Sequence, residues 1–181
     1  MRLHIPVKIW QKLQAYVELS SPNEVTGIGL LDIVGPQDLS VTEIILPRQK
    51  TSPALCEFAD GEMNQIIYNL MEKDPNLVRQ LCFRWHSHGQ SSVFWSQKDE
   101  DDIEDWDSPW VVNLVMNIYG EYLVRYDTFS PLRVSNYPVD LVIDYPRDTV
   151  LRDACLAELQ EKLHVRKIIP QQLTMRKEEL V

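Results

Sequence analysis

Two of the four histidines in this chain stand one residue apart, as His86-Ser87-His88. They close a segment, Leu81-Cys82-Phe83-Arg84-Trp85-His86, in which apolar Leu81, Phe83 and Trp85 alternate with Cys82, Arg84 and His86. A strand repeats every two residues, so His86 and His88 project from one face and the hydrophobes from the other. Side by side, two imidazoles can converge on one metal ion; an isolated pair also fits a half-exposed strand that happens to carry them. Further along comes Ser96-Gln97-Lys98-Asp99 at an expected helix start. The S-x-x-D spacing reads as a capping box, which would hold its carboxylate rigidly enough to serve as a third ligand. Two neutral imidazoles and one carboxylate form the ligand set of an open zinc site, with the remaining position left to water. Zinc lowers the pKa of such a water from 15.7 to about 7, and a base must then move the proton. Glu24, beside the run Val25-Thr26-Gly27-Ile28-Gly29, is the candidate base; taken alone it is also an ordinary strand-end carboxylate. Gly27 and Gly29 leave one face of their strand bare, which permits close approach of another backbone or of a substrate.

These residues need rigid elements to hold them. A helix is expected from Pro6 to Leu19, with Val7, Trp10, Leu13 and Val17 as its apolar stripe. Strands are expected over Glu24–Val34 and Leu39–Leu46 around the turn Gly35-Pro36-Gln37-Asp38, and near Leu55–Phe58 after a proline-punctuated connection. Asp60 reads as the N-cap of a helix with the stripe Met63, Ile66, Ile67, Leu70 and Met71, ended by Asp74-Pro75-Asn76. The histidine strand spans about Val78 to His88, and a short acidic helix follows from Ser96 to about Trp106. Trp110–Met116 and Tyr122–Tyr126 form a hairpin around Gly120, and Leu132–Ile143 gives one or two strands broken near Pro138. A last helix runs from about Arg147 to Lys167, its cationic end suiting the helix dipole. This order is α+β, with a mixed, mostly antiparallel sheet flanked by three or so helices rather than a regular βαβ alternation.

Composition narrows the functions available. The 181 residues suit one domain with a core large enough to need no disulfides. Eighteen basic against 27 acidic residues give a formal charge of −9, which argues against nucleic acid as a partner. No apolar run approaches the ~20 residues of a membrane span, and Met1-Arg2-Leu3-His4-Ile5-Pro6 has no apolar signal core. A soluble, cytoplasmic protein is expected. Cys56, Cys82 and Cys155 are too widely spaced for a zinc knuckle or a disulfide framework; Cys82, four residues before His86, is too distant to ligate with it. His4 and His164 read as surface residues. Seven of the nine residues from Asp99 to Asp107 are acidic, read either as a solvated helix face or as an electrostatic guide for a basic protein substrate. Phe94 and Trp95, between the ligand motifs, are candidates to line a groove for an extended peptide tail.

Taken together, Glu24 with Gly27 in an E-x-x-G run, then His86-x-His88, seven residues, and Ser96-x-x-Asp99, the sequence resembles the JAMM (MPN-plus) metalloproteases. Their signature is a distant glutamate with H-x-H-x7-S-x-x-D, and the match holds in spacing and residue type. The resemblance implies an MPN (JAB)-type domain over 1–167, with 168–181 as a C-terminal tail. It implies one Zn2+ held by His86, His88 and Asp99, Glu24 as general base and then acid, and Ser96 as a donor to the oxyanion. The implied activity is that of a zinc isopeptidase or peptidase cutting at the C-terminus of a ubiquitin-like protein or its conjugate. Alternatives are a small-substrate zinc amidohydrolase, a peptidase that trims sulfur carriers, and a non-catalytic MPN scaffold. One departure is plain: proline commonly follows the second histidine in that family, and here Gly89 does.

Overall fold

The computed structural model describes residues 1–146 and 148–162, in two units, the first Met1–Tyr145 and the second beginning at Pro146. The expected boundary between 167 and 168 lies outside the described residues. In chain order the first unit comprises β1 (Arg2–Pro6), α1 (Val7–Ser20), β2 (Thr26–Gly35), β3 (Asp38–Ile45), β4 (Gln49–Ser52), β5 (Leu55–Phe58), α2 (Glu62–Lys73), α3 (Pro75–Arg79), β6 (Phe83–Ser87), α4 (Gln97–Glu104), β7 (Trp110–Met116), β8 (Tyr122–Thr128), β9 (Val134–Pro138) and β10 (Asp140–Asp144). The described part of the second unit holds α5 (Thr149–Lys162), whose last turn carries an ion pair between Lys162 and Glu158. The fold class is α+β as expected, with five helices among the described residues where three or so were expected.

Eight strands form one mixed sheet in the order β10-β1-β3-β2-β6-β7-β8-β9, while β4 and β5 form a separate antiparallel hairpin. Neighbours in the large sheet are antiparallel at β2/β3, β2/β6, β7/β8 and β8/β9, and parallel at β1/β10, β1/β3 and β6/β7. The sheet curls strongly: its outer strands β9 and β10 are joined by Val139 alone, which belongs to the buried core.

Two apolar layers sandwich the central strands. On one face Trp10, Leu13 and Val17 of α1 pack with Leu3, Ile5, Val41, Phe83, Trp85 and Leu114. On the other, Ile66 and Leu70 of α2 cover Ile28, Leu30 and Leu81. Alternation along β2 supplies both layers, since successive side chains point to opposite faces. The glycines fit this packing, and of the two expected uses of the bare face it is close approach of another backbone that is found. A side chain at Gly27 would sit 2.4 Å from the indole of Trp85, and one at Gly29 would sit 2.6 Å from the Glu43 carbonyl. The bare face therefore receives the core and a neighbouring backbone.

Several elements differ from expectation. Arg2–Pro6 is a strand rather than the lead-in to the helix; Leu3 and Ile5 are fully buried and alternate with Arg2 and His4. His4 accordingly is half-buried, its two ring nitrogens facing Asp144 and Asp38 at 3.1 and 3.3 Å, and is not a free surface residue. His164 lies outside the described residues. Asp60 does not cap α2: Gly61, at φ 74°, occupies that position and no side chain caps the helix. The histidine strand, expected from about Val78 to His88, is Phe83–Ser87; residues 75–79 form α3 instead, with Pro75 at its first turn and Asp74 accepting from the Asn76 amide.

Candidate metal centre and its cleft

β6 and β7 run parallel, so the chain must cross over between them. That crossover is residues 88–109, and it carries both the loop after His88 and α4. His86 and His88 lie at the carboxyl end of β6, where that crossover begins. Their opposing partner is set by register: Thr26 pairs with His86 and Gly27 with Trp85. The Ser87 amide donates to the Val25 carbonyl at 2.8 Å, and the Val25 amide donates to Ser87 Oγ at 3.0 Å. Glu24 is thereby delivered to the level of His88.

α4 brings the carboxylate. Ser96 caps the helix and the expected capping box is present: the Asp99 amide donates to Ser96 Oγ, and the Ser96 amide donates to Asp99 Oδ2 at 2.7 Å. Asp99 Oδ1 lies 3.1 Å from His86 Nε2, the two Nε2 atoms are 3.2 Å apart, and Asp99 Oδ2 is 3.8 Å from His88 Nε2. One ligand atom from each of His86, His88 and Asp99 lies within 4.8 Å of the others, close enough to hold a metal ion. The ring of His88 is oriented for it. Its Nδ1 is 3.0 Å from the Ser92 carbonyl, which can only accept, so Nδ1 carries the hydrogen and Nε2 of the neutral ring keeps its lone pair. The donor set, two imidazole nitrogens and one carboxylate, fits a divalent cation of borderline softness.

These residues open into a cleft of about 300 Å³ that is also lined by Glu24, Cys56, Arg84, Phe94, Ser96, Lys98 and Asp102. A larger and more apolar cavity, about 840 Å³ beside Met63, Ile67, Trp106 and Trp110, contains no such convergence of donors.

Electrostatics in the cleft follow from burial and mutual charge. Burial pushes the Glu24 carboxyl above its ordinary value; His88 opposes this, while Asp99 reinforces it. Burial also works against ionising Asp99, but hydrogen bonds with His86, His88 and Ser96 outweigh it and hold the carboxyl well below the usual range. For His86 burial prevails and keeps the ring neutral against the pull of Asp99. For His88 burial is overcome by Asp99, the Ser92 carbonyl and Glu24, and the pKa rises. A metal must displace a proton bound at His88. The sign is therefore definite: apparent metal affinity falls with falling pH, and because the His88 pKa is raised, the decline begins above pH 6.5. Isothermal titration with zinc between pH 5.5 and 8 is expected to give about a tenfold loss per unit on the acid limb; a flat profile would contradict the assignment of His88 as a ligand.

The expected residues thus gather, with two qualifications. Ser96 lines the cleft, yet its hydroxyl donates to Asp99 Oδ2 at 2.6 Å, so it supports the ligand in this structure. Phe94 lines the cleft, half exposed and edge-on to His88 at 4.7 Å. Trp95, expected beside it, does not line this cleft; it lies between His86, 6.0 Å away, and the guanidinium of Arg125 at 4.9 Å. Nor is the acidic run simply a solvated face: Glu100 pairs with Arg125, Asp102 with Lys98 and Arg84, and Glu104 with Arg133.

Arg84 and Cys56 line the cleft without having carried a functional expectation. Arg84 shares the strand face of His86, and that alternation was the available signal. Cys56 is on β5, with Sγ 3.9 Å from Glu24 Oε2. Burial and the nearby Glu24 and Asp99 charges push its thiol up to about 12, which leaves it an uncharged neighbour rather than a nucleophile. Gly89 explains the departure from the His-Pro pattern: its φ is +52°, closed to proline, and a side chain there would sit 2.7 Å from the Pro22 carbonyl. The turn after His88 and the loop leading to Glu24 are packed against each other through that contact.

Among the described residues no helix is long and apolar enough to cross a membrane. No protein-family model matches the sequence, and no curated protein matches it. Among solved structures the chain is similar to the solution structure of protein DSY2949 from Desulfitobacterium hafniense, with a TM-score of 0.52 and 16% identity over 78% of this chain and 94% of that one. At that identity the likeness is one of fold alone.

Proposed function

We propose that this chain is a zinc-dependent isopeptidase or peptidase of the JAMM (MPN-plus) type, acting on an amide bond at the C-terminus of a ubiquitin-like protein or its conjugate. The observation that supports it is the convergence of His86, His88 and Asp99 within 4.8 Å in a cleft that Glu24 also lines. His86, His88 and Asp99 would hold the zinc, whose Lewis acidity acidifies water and polarises a carbonyl. Glu24 takes a proton from the attacking water and returns it to the leaving amine. Its burial raises its proton affinity, which suits a group that must both accept and release a proton near neutrality. Ser96, whose hydroxyl here donates to Asp99 Oδ2, would have to release that bond to donate to the oxygen that gains negative charge. Pro53–Cys56 and Phe94, which line the same cleft, are surfaces for an extended substrate tail.

The test is metal analysis of the purified protein together with cleavage of ubiquitin-like fusions, before and after chelation. One zinc per chain, cleavage lost on chelation and recovered on adding zinc is the expected result. Zinc with no cleavage of fusions but turnover of small amides would transfer the reading to an amidohydrolase. Zinc with no cleavage of either would favour the scaffold, and absence of any zinc affinity would remove the reading altogether.

A further inference from the structure

α4 presents Asp99, yet of its eight residues only Ile103 is a buried hydrophobe. So short a helix has little stability of its own and depends on tertiary contacts. Here those contacts are mostly ionic, and their cations differ in burial: the Arg84 side chain, paired with Asp102, is 18% exposed, and that of Arg125 is the most buried. Arg125 of β8 is 2% exposed, whereas the cations at the Lys98 and Arg133 pairs are half exposed. Its Nη1 and Nη2 donate to the two carboxylate oxygens of Glu100 at 2.5 and 2.8 Å. Its Nε and Nη2 donate to Asp127 at 2.8 and 3.0 Å. Asp127 is fixed in turn by the Asn113 amide group at 3.2 Å and the Asn136 backbone at 2.8 Å. The guanidinium face covers Trp95, whose ring stands beside His86.

An unpaired charge at this depth would be strongly destabilising, and a paired one contributes little net stability but can enforce one geometry. We propose that Arg125 is a positioning residue for the metal cluster. By clamping Glu100, the neighbour of Asp99, to the sheet, and by backing His86 through Trp95, it sets the separation of the carboxylate and imidazole ligands and hence the affinity for the ion. A planar fork is required, because one group must bind two carboxylates at once and stack as well; lysine cannot do this. The inference rests on the reading of His86, His88 and Asp99 as a zinc site.

The experiment measures zinc affinity by competition with a chromophoric chelator, the visible spectrum of the cobalt-substituted protein, and metal-free melting. It compares wild type with Arg125→Met, Arg125→Lys and Glu100→Ala. Both arginine variants are expected to bind zinc about 10–100-fold more weakly, the range for residues that orient ligands. Glu100 is 40% exposed at its side chain, so Glu100→Ala keeps the buried Arg125–Asp127 pair and folds. It is expected to weaken zinc about tenfold and to shift the cobalt bands, with little change in metal-free melting. A folded Glu100→Ala protein with wild-type zinc affinity and cobalt spectrum overturns the proposal while leaving the zinc site standing, as does full affinity in Arg125→Lys. A wild-type protein that binds neither metal overturns the zinc reading and this inference with it.

Discussion

Replacing Glu24 by Gln is expected to lower turnover by about 10²–10⁴-fold, the range for a positioned proton-transfer group, while zinc content and melting temperature stay at wild-type values. The substitution keeps the shape of the side chain and removes only its capacity to take a proton. Glu24 is not among the three residues whose ligand atoms converge, so the ion should not notice the change. Its backbone amide bonds the Ser52 carbonyl at 2.9 Å and is untouched. Steady-state cleavage beside metal analysis separates the outcomes. Loss of zinc with loss of activity would make Glu24 a ligand; unchanged cleavage would assign the proton transfer elsewhere and leave Glu24 as one more acidic group lining the cleft.

Gly27→Val is expected to damage the fold severely. Valine favours strands, so local propensity alone would predict a neutral or stabilising effect. The added carbon instead falls 2.4 Å from the Trp85 ring, which is fully buried and stacked on Tyr16. Overpacking of this kind costs about 3 kcal/mol, or roughly 6–12 °C in melting temperature for a chain of this length. Zinc affinity should fall too, because Gly27 pairs with Trp85 and the next pair is Thr26 with His86. Thermal melting and zinc titration of the variant test both effects. An unchanged melting temperature would mean that Trp85 can leave its position at little cost.

The pair Gly27–Trp85 also marks the limit of what the sequence discloses. The alternation that sends Arg84 and His86 to one face is a local property with period two, but the structure confines it to Phe83–Ser87: Leu81 packs in the layer opposite to Phe83 and Trp85, and His88 follows the strand. The capping box at Ser96 is legible, because its donors and acceptors lie within one turn. The presence of a bare strand face at Gly27 and Gly29 is equally legible, but what fills it depends on the register of β2 against β6, which no local pattern specifies. Cys56 reaches Glu24 only because the β4–β5 hairpin folds back on the start of β2. Arg125 was within an expected strand; its alternation with Asp127 is visible in the sequence, whereas its reach to Glu100 depends on where the crossover helix lands. The strand Arg2–Pro6 was hidden by Pro6, which suits a helix start as well as a strand end. Local periodicity therefore exposes the candidate ligands, and long-range pairing decides what supports them.

The single-residue join between β9 and β10 has a consequence for how the chain comes together. β1 pairs with β10 from Arg2–Asp140 to Pro6–Asp144, so the first strand made meets one of its two neighbours only when the last strand of the sheet has emerged. At ordinary rates of synthesis that delay is on the order of ten seconds or more. In the interval β1 can lean on β3 alone, through Arg2–Asp38 to His4–Ser40, and its other edge stays open to pairing with foreign chains. Closure of the sheet is thus a late, high-contact-order event, and the hydrophobic side chains of Leu3 and Ile5 are sealed by partners 138 positions further along the chain, Leu141 and Ile143.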